Sequence, residues 1–183
     1  MCPELLDAAE DDVNALSKIH KSYWEESRYK ILIDFCSHSK NILSVGCGPK
    51  EPLIIGALNA IDCTPLSEKY LRESGWKGCF TLGTCVNLPY PNKFFDVVVC
   101  SEVIEHLPTL DDVTKTFIEV NRVSKKWIIT TPNSDVIKPK SQNKHHLQFF
   151  TLTKIKEIMP KEILPLCRIY THDYHIYIEK NVK

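Results

Sequence analysis

A chain of 183 residues has the length of one domain, and at this size about 70% of the unfolded surface is buried on folding, so neither disulfide nor metal is needed to hold it together. With 43% hydrophobic and 25% charged residues, 6 Gly and 11 Pro, collagen-like, low-complexity and disordered classes are excluded. Lys plus Arg and Asp plus Glu balance at 23 each, so no net field attracts a polyanionic partner.

The 8 cysteines (Cys2, Cys36, Cys47, Cys63, Cys79, Cys85, Cys100 and Cys167) are scattered, mostly inside apolar runs, and form no C-x-x-C pair. They predict reduced, buried thiols in a cytoplasmic setting and give no support to a zinc ribbon or a thioredoxin-type site. The first residues are acidic and no apolar run approaches about 18 residues, so neither a signal peptide nor a membrane partner is expected.

Residues 1–40 form an N-terminal helical segment packed on a core that spans 41–183. Leu16, Ile19, Tyr23, Trp24, Ile31, Leu32 and Phe35 recur at helical spacing and predict one or two amphipathic helices. Short apolar runs follow at 41–45, 57–62, 79–83, 94–100 and 126–131, each with the look of a buried parallel strand. Between the last two, Val113, Phe117, Val120 and Val123 mark one face of a helix over 111–123. This alternation predicts an α/β fold: a single-domain, doubly wound, Rossmann-like, mostly parallel sheet. Residues 151–160 read as a helix with Thr151 as N-cap, Ile155 and Ile158 facing in, and Pro160 as its stop. Strands over 163–170 and 174–180, around a turn at Thr171-His172-Asp173, would close the sheet as a terminal antiparallel hairpin. The one irregular stretch, 136–146, carries Lys138, Lys140, Lys144, His145 and His146.

Val45-Gly46-Cys47-Gly48 stands where a strand turns into a helix, and two glycines there let a ligand approach the backbone. Fourteen residues past Gly48, Asp62 ends the next strand and can accept hydrogen bonds from both hydroxyls of a ribose. Glu51 occupies the place of the third glycine of the dinucleotide fingerprint, which disfavours nicotinamide and flavin dinucleotides. VGCG, the acidic residue after the second strand, NLPYPNKFFDVVVCSEVIEHLP and TTPN occur in an order that resembles the class I S-adenosylmethionine-dependent methyltransferases, specifically the small type-11 group. The resemblance covers roughly residues 40–155. It implies S-adenosylmethionine as cofactor, with Gly46, Cys47 and Gly48 beneath its methionine and ribose, Asp62 on the ribose hydroxyls, and Thr84, Cys85 and Val86 beside the adenine.

Three departures from the family pattern stand out. Pro49 and Lys50 follow Gly48, so the fifth loop position has lost its glycine. Only residues 49–56 remain for a crossover helix, with Pro52 in its first turn. Thr84 replaces the aspartate usual before the adenine-flanking pair.

Glu102, Glu105 and His106 share one face if their stretch is helical, and His145 and His146 come from the loop after the neighbouring strand. Their carboxylates and imidazoles would meet at the carboxyl edge of the sheet, where they suit general-base work or a divalent metal. The words EVIEH and HLQFFT also resemble, in part, the small-RNA 3′-terminal 2′-O-methyltransferases, whose metal is held by two Glu and two His. Gln148, Phe149 and Leu152 depart from that pattern. The expected catalytic edge is therefore Glu102, Glu105, His106 and His146, with the metal-free arrangement preferred to the metal-bound one and plain scaffolding as the remaining reading. The expected function is methyl transfer from S-adenosylmethionine. A small molecule or protein acceptor is preferred to RNA because the chain is neutral, and a metal-assisted RNA ribose methyltransferase and a non-catalytic binding protein are the alternatives. Cys47 and Cys100 read as packing thiols.

Overall fold

The computed structural model describes residues 6–7, 9–11, 13–14, 23–138 and 143–180. Helix α1 (Tyr23–Cys36) leads into β1 (Ile42–Val45), a short α2 (Glu51–Ile55), β2 (Asn59–Asp62), α3 (Pro65–Glu73), β3 (Cys79–Leu82) and β4 (Phe95–Ser101). A 3-10 turn at Ile104–His106 precedes α4 (Leu110–Val123), β5 (Ser124–Pro132), α5 (Leu152–Ile158), a second 3-10 turn at Leu164–Leu166, β6 (Arg168–His172) and β7 (His175–Lys180). The seven strands form one sheet in the order β3-β2-β1-β4-β5-β7-β6. β1 through β5 are parallel to one another, while β7 runs antiparallel to both β5 and β6.

Both faces of the central strands are covered, which is why those strands read as unbroken apolar runs. On one face, Leu32 and Phe35 of α1 and Ile55 of α2 pack with Ile42, Val97, Val99, Ile128 and Tyr177. On the other, Val113, Phe117, Val120 and Val123 of α4 meet Leu43, Val45, Val98, Cys100, Trp127 and Ile129. Helix α4 begins at Thr109, whose hydroxyl accepts the N–H of Asp112, with Asp111 and Asp112 charging its first turn. Thr151 caps α5 in the same way through Lys154 N–H, and Ile155 is fully buried beneath it. The crossover from β1 to β2 is as short as the sequence requires. Pro52 falls in the first turn of the five-residue α2, and Gly56 ends that helix in the left-handed region at φ +71°.

Two boundaries near the end differ from the sequence expectation. Pro165 has no N–H to give a ladder, so residues 164–166 form a 3-10 turn and β6 begins only at Arg168. The hairpin turn lies at Asp173-Tyr174, with His172 still paired to His175. Asp173 takes the left-handed conformation (φ +51°) that aspartate tolerates better than most residues. The hairpin also does not simply follow β5. Its second strand inserts beside β5 and pushes β6 to the sheet edge. At the other end, Leu16 and Ile19 fall outside the described residues, as do the side chains of Tyr23 and Trp24.

Among the described residues, seven cysteines are free, and Cys36, Cys47, Cys85 and Cys100 are buried. Cys63 and Cys167 are only half-buried and Cys79 is exposed, because β3 is an edge strand whose outer side no neighbour covers. No helix among the described residues is long and apolar enough to cross a membrane. Thiol titration of fresh protein in denaturant without reductant should return all 8 cysteines, with Cys79 the first of the seven described ones to react under native conditions; a count of six or fewer contradicts this assignment.

Candidate active site

β1 is paired on one side with β2 and on the other with β4, so the chain leaves its carboxyl end between two diverging crossovers. In an open α/β sheet this switch point is where ligands bind. The loop after β1 is tied to β2: the N–H groups of Gly46 and Cys47 both donate to the carbonyl of Ile61, at 2.9 and 3.3 Å. Gly46 has φ +62°, and a Cβ on it would lie 2.3 Å from a methyl of Val103, so only glycine fits. Gly48 also has a positive φ (+53°), but nothing lies within 4 Å of where its Cβ would be. That open side is the space a ligand would fill.

Asp62 sits beneath this loop with 6% of its surface exposed. Its Oδ2 accepts the N–H of Gly48 at 2.9 Å and its Oδ1 that of Thr64 at 3.1 Å. Burial raises its carboxyl above the usual range, opposed by these N–H donors. Oδ2 also accepts the Cys47 thiol at 3.7 Å, and the Cys63 N–H favours the charge as well, so of about four acceptor positions on the carboxylate most are already used within the protein.

Where the sequence shows a lost glycine, the structure shows a replacement contact. Glu51, the first residue of α2, turns inward, is 5% exposed, and accepts the hydroxyl of Ser44 at 2.7 Å. Burial pushes its carboxyl up to about 7, against the opposing pull of Arg28 and of hydrogen bonds from Ser44 and Ser101. The loop is thereby pinned to β1 by a buried side chain.

The second cluster lies after β4. Glu102 is not on a helix with Glu105 and His106 as expected. It holds a left-handed φ of +57°, and the single 3-10 turn begins only at Ile104. Its N–H donates to the carbonyl of Thr130 and its Oε1 accepts the Thr130 hydroxyl at 2.9 Å, while Oε2 lies 3.3 Å from His175 Nε2 and 3.6 Å from Arg28 Nη1. Burial opposes the charge of Glu102, but His175, Arg28 and the Thr130 hydrogen bond outweigh it and pull the carboxyl down to about 2.

Glu105 points elsewhere and is 1% exposed. Burial, reinforced by the negative charge of Glu102, raises its carboxyl well above the usual range. Its Oε2 accepts the Thr131 hydroxyl at 3.0 Å, while Oε1 is buried with no hydrogen-bond partner among the described residues. The main-chain carbonyl of Glu105 accepts the N–H groups of Leu147 and Gln148, at 2.8 and 2.9 Å, and so draws in the loop after β5. As a result the rings of His106 and His146 stand perpendicular with centroids 4.8 Å apart. Side-chain ligand atoms of Glu105, His106 and His146 all lie within 4.8 Å of one another, close enough to share a metal ion.

Of the expected residues, then, Glu105, His106 and His146 come together and Glu102 turns away from them toward Arg28 and His175. His145 faces Asp11, at 3.7 Å. Val45 is wholly buried, and Cys47 and Cys85 are packing thiols whose acidity burial suppresses. Cys85 accepts the Thr116 hydroxyl in the core, so it can border a ligand only through its main chain. Thr84 and Val86 follow β3, anchored beside the first cluster by the Gly83 N–H donated to the Asp62 carbonyl at 2.8 Å. Sequence reading missed Arg28, Ser44, Thr130, Thr131 and His175. Thr130 and Thr131 open the TTPN word without having been read as site residues; the others belong to no motif, and only the charged types at 28 and 175 carried any signal.

Residues 43–127 match the sequence family described as the methyltransferase domain. An uncharacterized methyltransferase of Schizosaccharomyces pombe is 26% identical over 60% of this chain, which covers 45% of that protein. The chain thus spans less than half the length of that curated relative. Among solved structures, the N-methyltransferase NodS of Bradyrhizobium japonicum, in complex with S-adenosylhomocysteine, superposes with a TM-score of 0.71 at 12% identity, covering 96% of this chain and 97% of its own. A methyltransferase of Archaeoglobus fulgidus gives 0.64 at 15% identity, over 84% and 91% of the two chains. Residues 43–127 thus match a methyltransferase domain, and the fold is shared with solved S-adenosylmethionine-dependent methyltransferases. The open side of Gly48 above Asp62 fits that cofactor.

Because the folded value of Glu51 lies above its ordinary 4.5, the native protein keeps a proton that the unfolded chain has released. Its stabilising effect is complete below pH 4.5 and is lost as pH rises through about 7. Glu51→Gln should abolish this loss, worth at most about 3 kcal/mol, so that urea melts of variant and parent diverge at pH 8 and agree near pH 4.

Proposed function

We propose that this chain transfers the methyl group of S-adenosylmethionine to an acceptor bound beside the Glu105, His106 and His146 edge. The observation that carries this reading is the cradle made by Gly46, Gly48 and Asp62 at the switch point of the sheet. S-adenosylmethionine supplies a methyl on a cationic sulfur, already activated as an electrophile, so the protein's work is alignment, exclusion of water and removal of the acceptor's proton. Burial and the charge of Glu102 raise the Glu105 carboxyl well above its ordinary range, and Glu102 is committed to Arg28 and His175. The imidazoles of His106 and His146 are therefore the bases this edge offers. Glu105, whose Oε1 has no partner among the described residues, can hydrogen-bond an acceptor oxygen and orient it.

The reading extends to a cytoplasmic, reducing setting, supported by the free cysteines, and to a small-molecule or protein acceptor, supported by the balanced charge. A second reading, metal-assisted 2′-O-methylation of RNA, is favoured by the spacing of Glu105, His106 and His146. Those three residues would hold the ion, and it would lower the pKa of the acceptor hydroxyl. The withdrawal of Glu102 from this trio counts against it.

Calorimetry should show wild-type protein binding S-adenosylhomocysteine, the demethylated product. Asp62→Ala should weaken this by about 1.5–3 kcal/mol, the worth of hydrogen bonds to a charged group; no binding by wild type at millimolar ligand refutes the proposal. Titration with Mn²⁺ separates the two readings: a stoichiometric site lost in His146→Ala establishes the metal-assisted one, and its absence leaves the imidazoles as bases.

A further inference from the structure

The opposite end of the sheet gathers cations. At the amino ends of β4 and β5, about 20 Å from the candidate active site by the rise of the seven residues of β4, a cavity of about 530 Å³ is lined by Lys93, Asp96, Lys125, Lys126 and Lys180. Four ammonium groups thus face a single carboxylate. Lys93 precedes β4, Lys125 and Lys126 open β5, and Lys180 ends β7, which its pairing with Trp127 brings to the same level. In a chain whose charges balance at 23 each, this is a strong local departure from neutrality.

Part of this arrangement serves the fold. Lys93 Nζ donates to the carbonyls of Asn121 and Ser124, at 2.7 and 2.8 Å, and so offsets the negative end of α4; Lys126 does the same for α1 through the carbonyl of Phe35 at 2.7 Å. Lys125 reaches Asp96 at 2.8 Å. Lys180 is different. Its Nζ donates at 2.8 Å to the side-chain oxygen of Asn121, the residue whose carbonyl already holds Lys93. Two ammonium groups therefore stand on one asparagine, and neither forms an ion pair with a carboxylate among the described residues. Partial burial, then the charge of Lys180, lowers the Lys93 pKa.

Like charges held this close repel unless an anion stands between them. An ammonium has three N–H donors, of which Lys93 uses two here and Lys125, Lys126 and Lys180 one each. A phosphoryl group carries two negative charges on three outer oxygens and so can take several ammoniums at once, whereas a carboxylate brings one charge; lysine binds phosphate as a point charge. The volume lies in the range of small-molecule sites, about 300–1,000 Å³, and a compact cavity offers no track for a nucleic-acid backbone. We propose that this cavity binds a phosphate-bearing small molecule, Lys93 and Lys180 holding its phosphoryl group and Lys125 and Lys126 a second anionic group. The site lies outside the methyl-transfer reading and does not rest on it.

Calorimetry at constant ionic strength tests this with three probes: pyrophosphate, inorganic phosphate and acetate. Wild type should show one saturable site for pyrophosphate, at least about tenfold tighter than acetate, with inorganic phosphate between them because Lys125 and Lys126 then meet no second anionic group. Lys180→Gln and Lys125→Gln should each weaken pyrophosphate by about fivefold or more while their urea melts stay at the parent's values. Lys161→Gln, at an exposed lysine outside the cavity, should change nothing. No saturable binding of pyrophosphate at about 10 mM, unchanged affinity in both cavity variants, or an equal loss in Lys161→Gln overturns the proposal. Single-stranded RNA that binds through Lys125 and Lys180 where pyrophosphate does not also overturns it, and gives these lysines to a nucleic-acid backbone.

Discussion

A buried cluster of opposite charges joins the parts of this chain that are farthest apart in sequence. Arg28 comes from the N-terminal helix, Glu102 from the end of β4 and His175 from the start of the last strand, and all three meet over the carboxyl ends of the central strands. Removing one partner from such a cluster leaves an uncompensated charge out of water, which costs about 3–5 kcal/mol. The cluster therefore fixes where α1 lies on the sheet and which way the terminal hairpin enters it. Hydroxyls extend it inward: Thr130 donates to Glu102 and lies 2.9 Å from the Ser101 hydroxyl, which stands beside Glu51.

Glu51 connects that cluster to the glycine loop. A short crossover with a lysine and a proline in place of the usual small residues would leave the loop poorly anchored, but a carboxyl folded back onto Ser44 restores the anchor from the helix side. The cost is a group that prefers to be neutral, since burial disfavours its charge more than its neighbours favour it. The glycine loop is thus held by a hydrogen bond whose strength changes near neutrality.

The two carboxyl groups after β4 illustrate how environment divides one motif into two roles. Glu102 and Glu105 are three residues apart and equally acidic in isolation. The first meets a guanidinium and an imidazole and stays charged. The second meets a hydroxyl, burial and its neighbour's negative charge, which raise its carboxyl well above the ordinary range. Two imidazoles then stand beside it.

The sequence by itself determined the strand and helix alternation, the switch-point motif and the likeness to a methyltransferase domain. Apolar runs of five to seven residues, helical spacing over 111–123, and two glycines before an acidic strand end are local patterns that need no tertiary information. It also determined the limits of the first crossover, because too few residues separate Gly48 from Asp62 for anything longer than α2. Tertiary structure alone decided the rest. That β7 inserts beside β5 depends on which edge the hairpin can bury, a choice no local pattern encodes. That Glu102 faces Arg28 and not His146 depends on a single left-handed residue breaking the helix that spacing suggested. Arg28 itself was illegible as a site residue, because a lone arginine on an amphipathic helix looks like any solvated charge until packing removes the water around it.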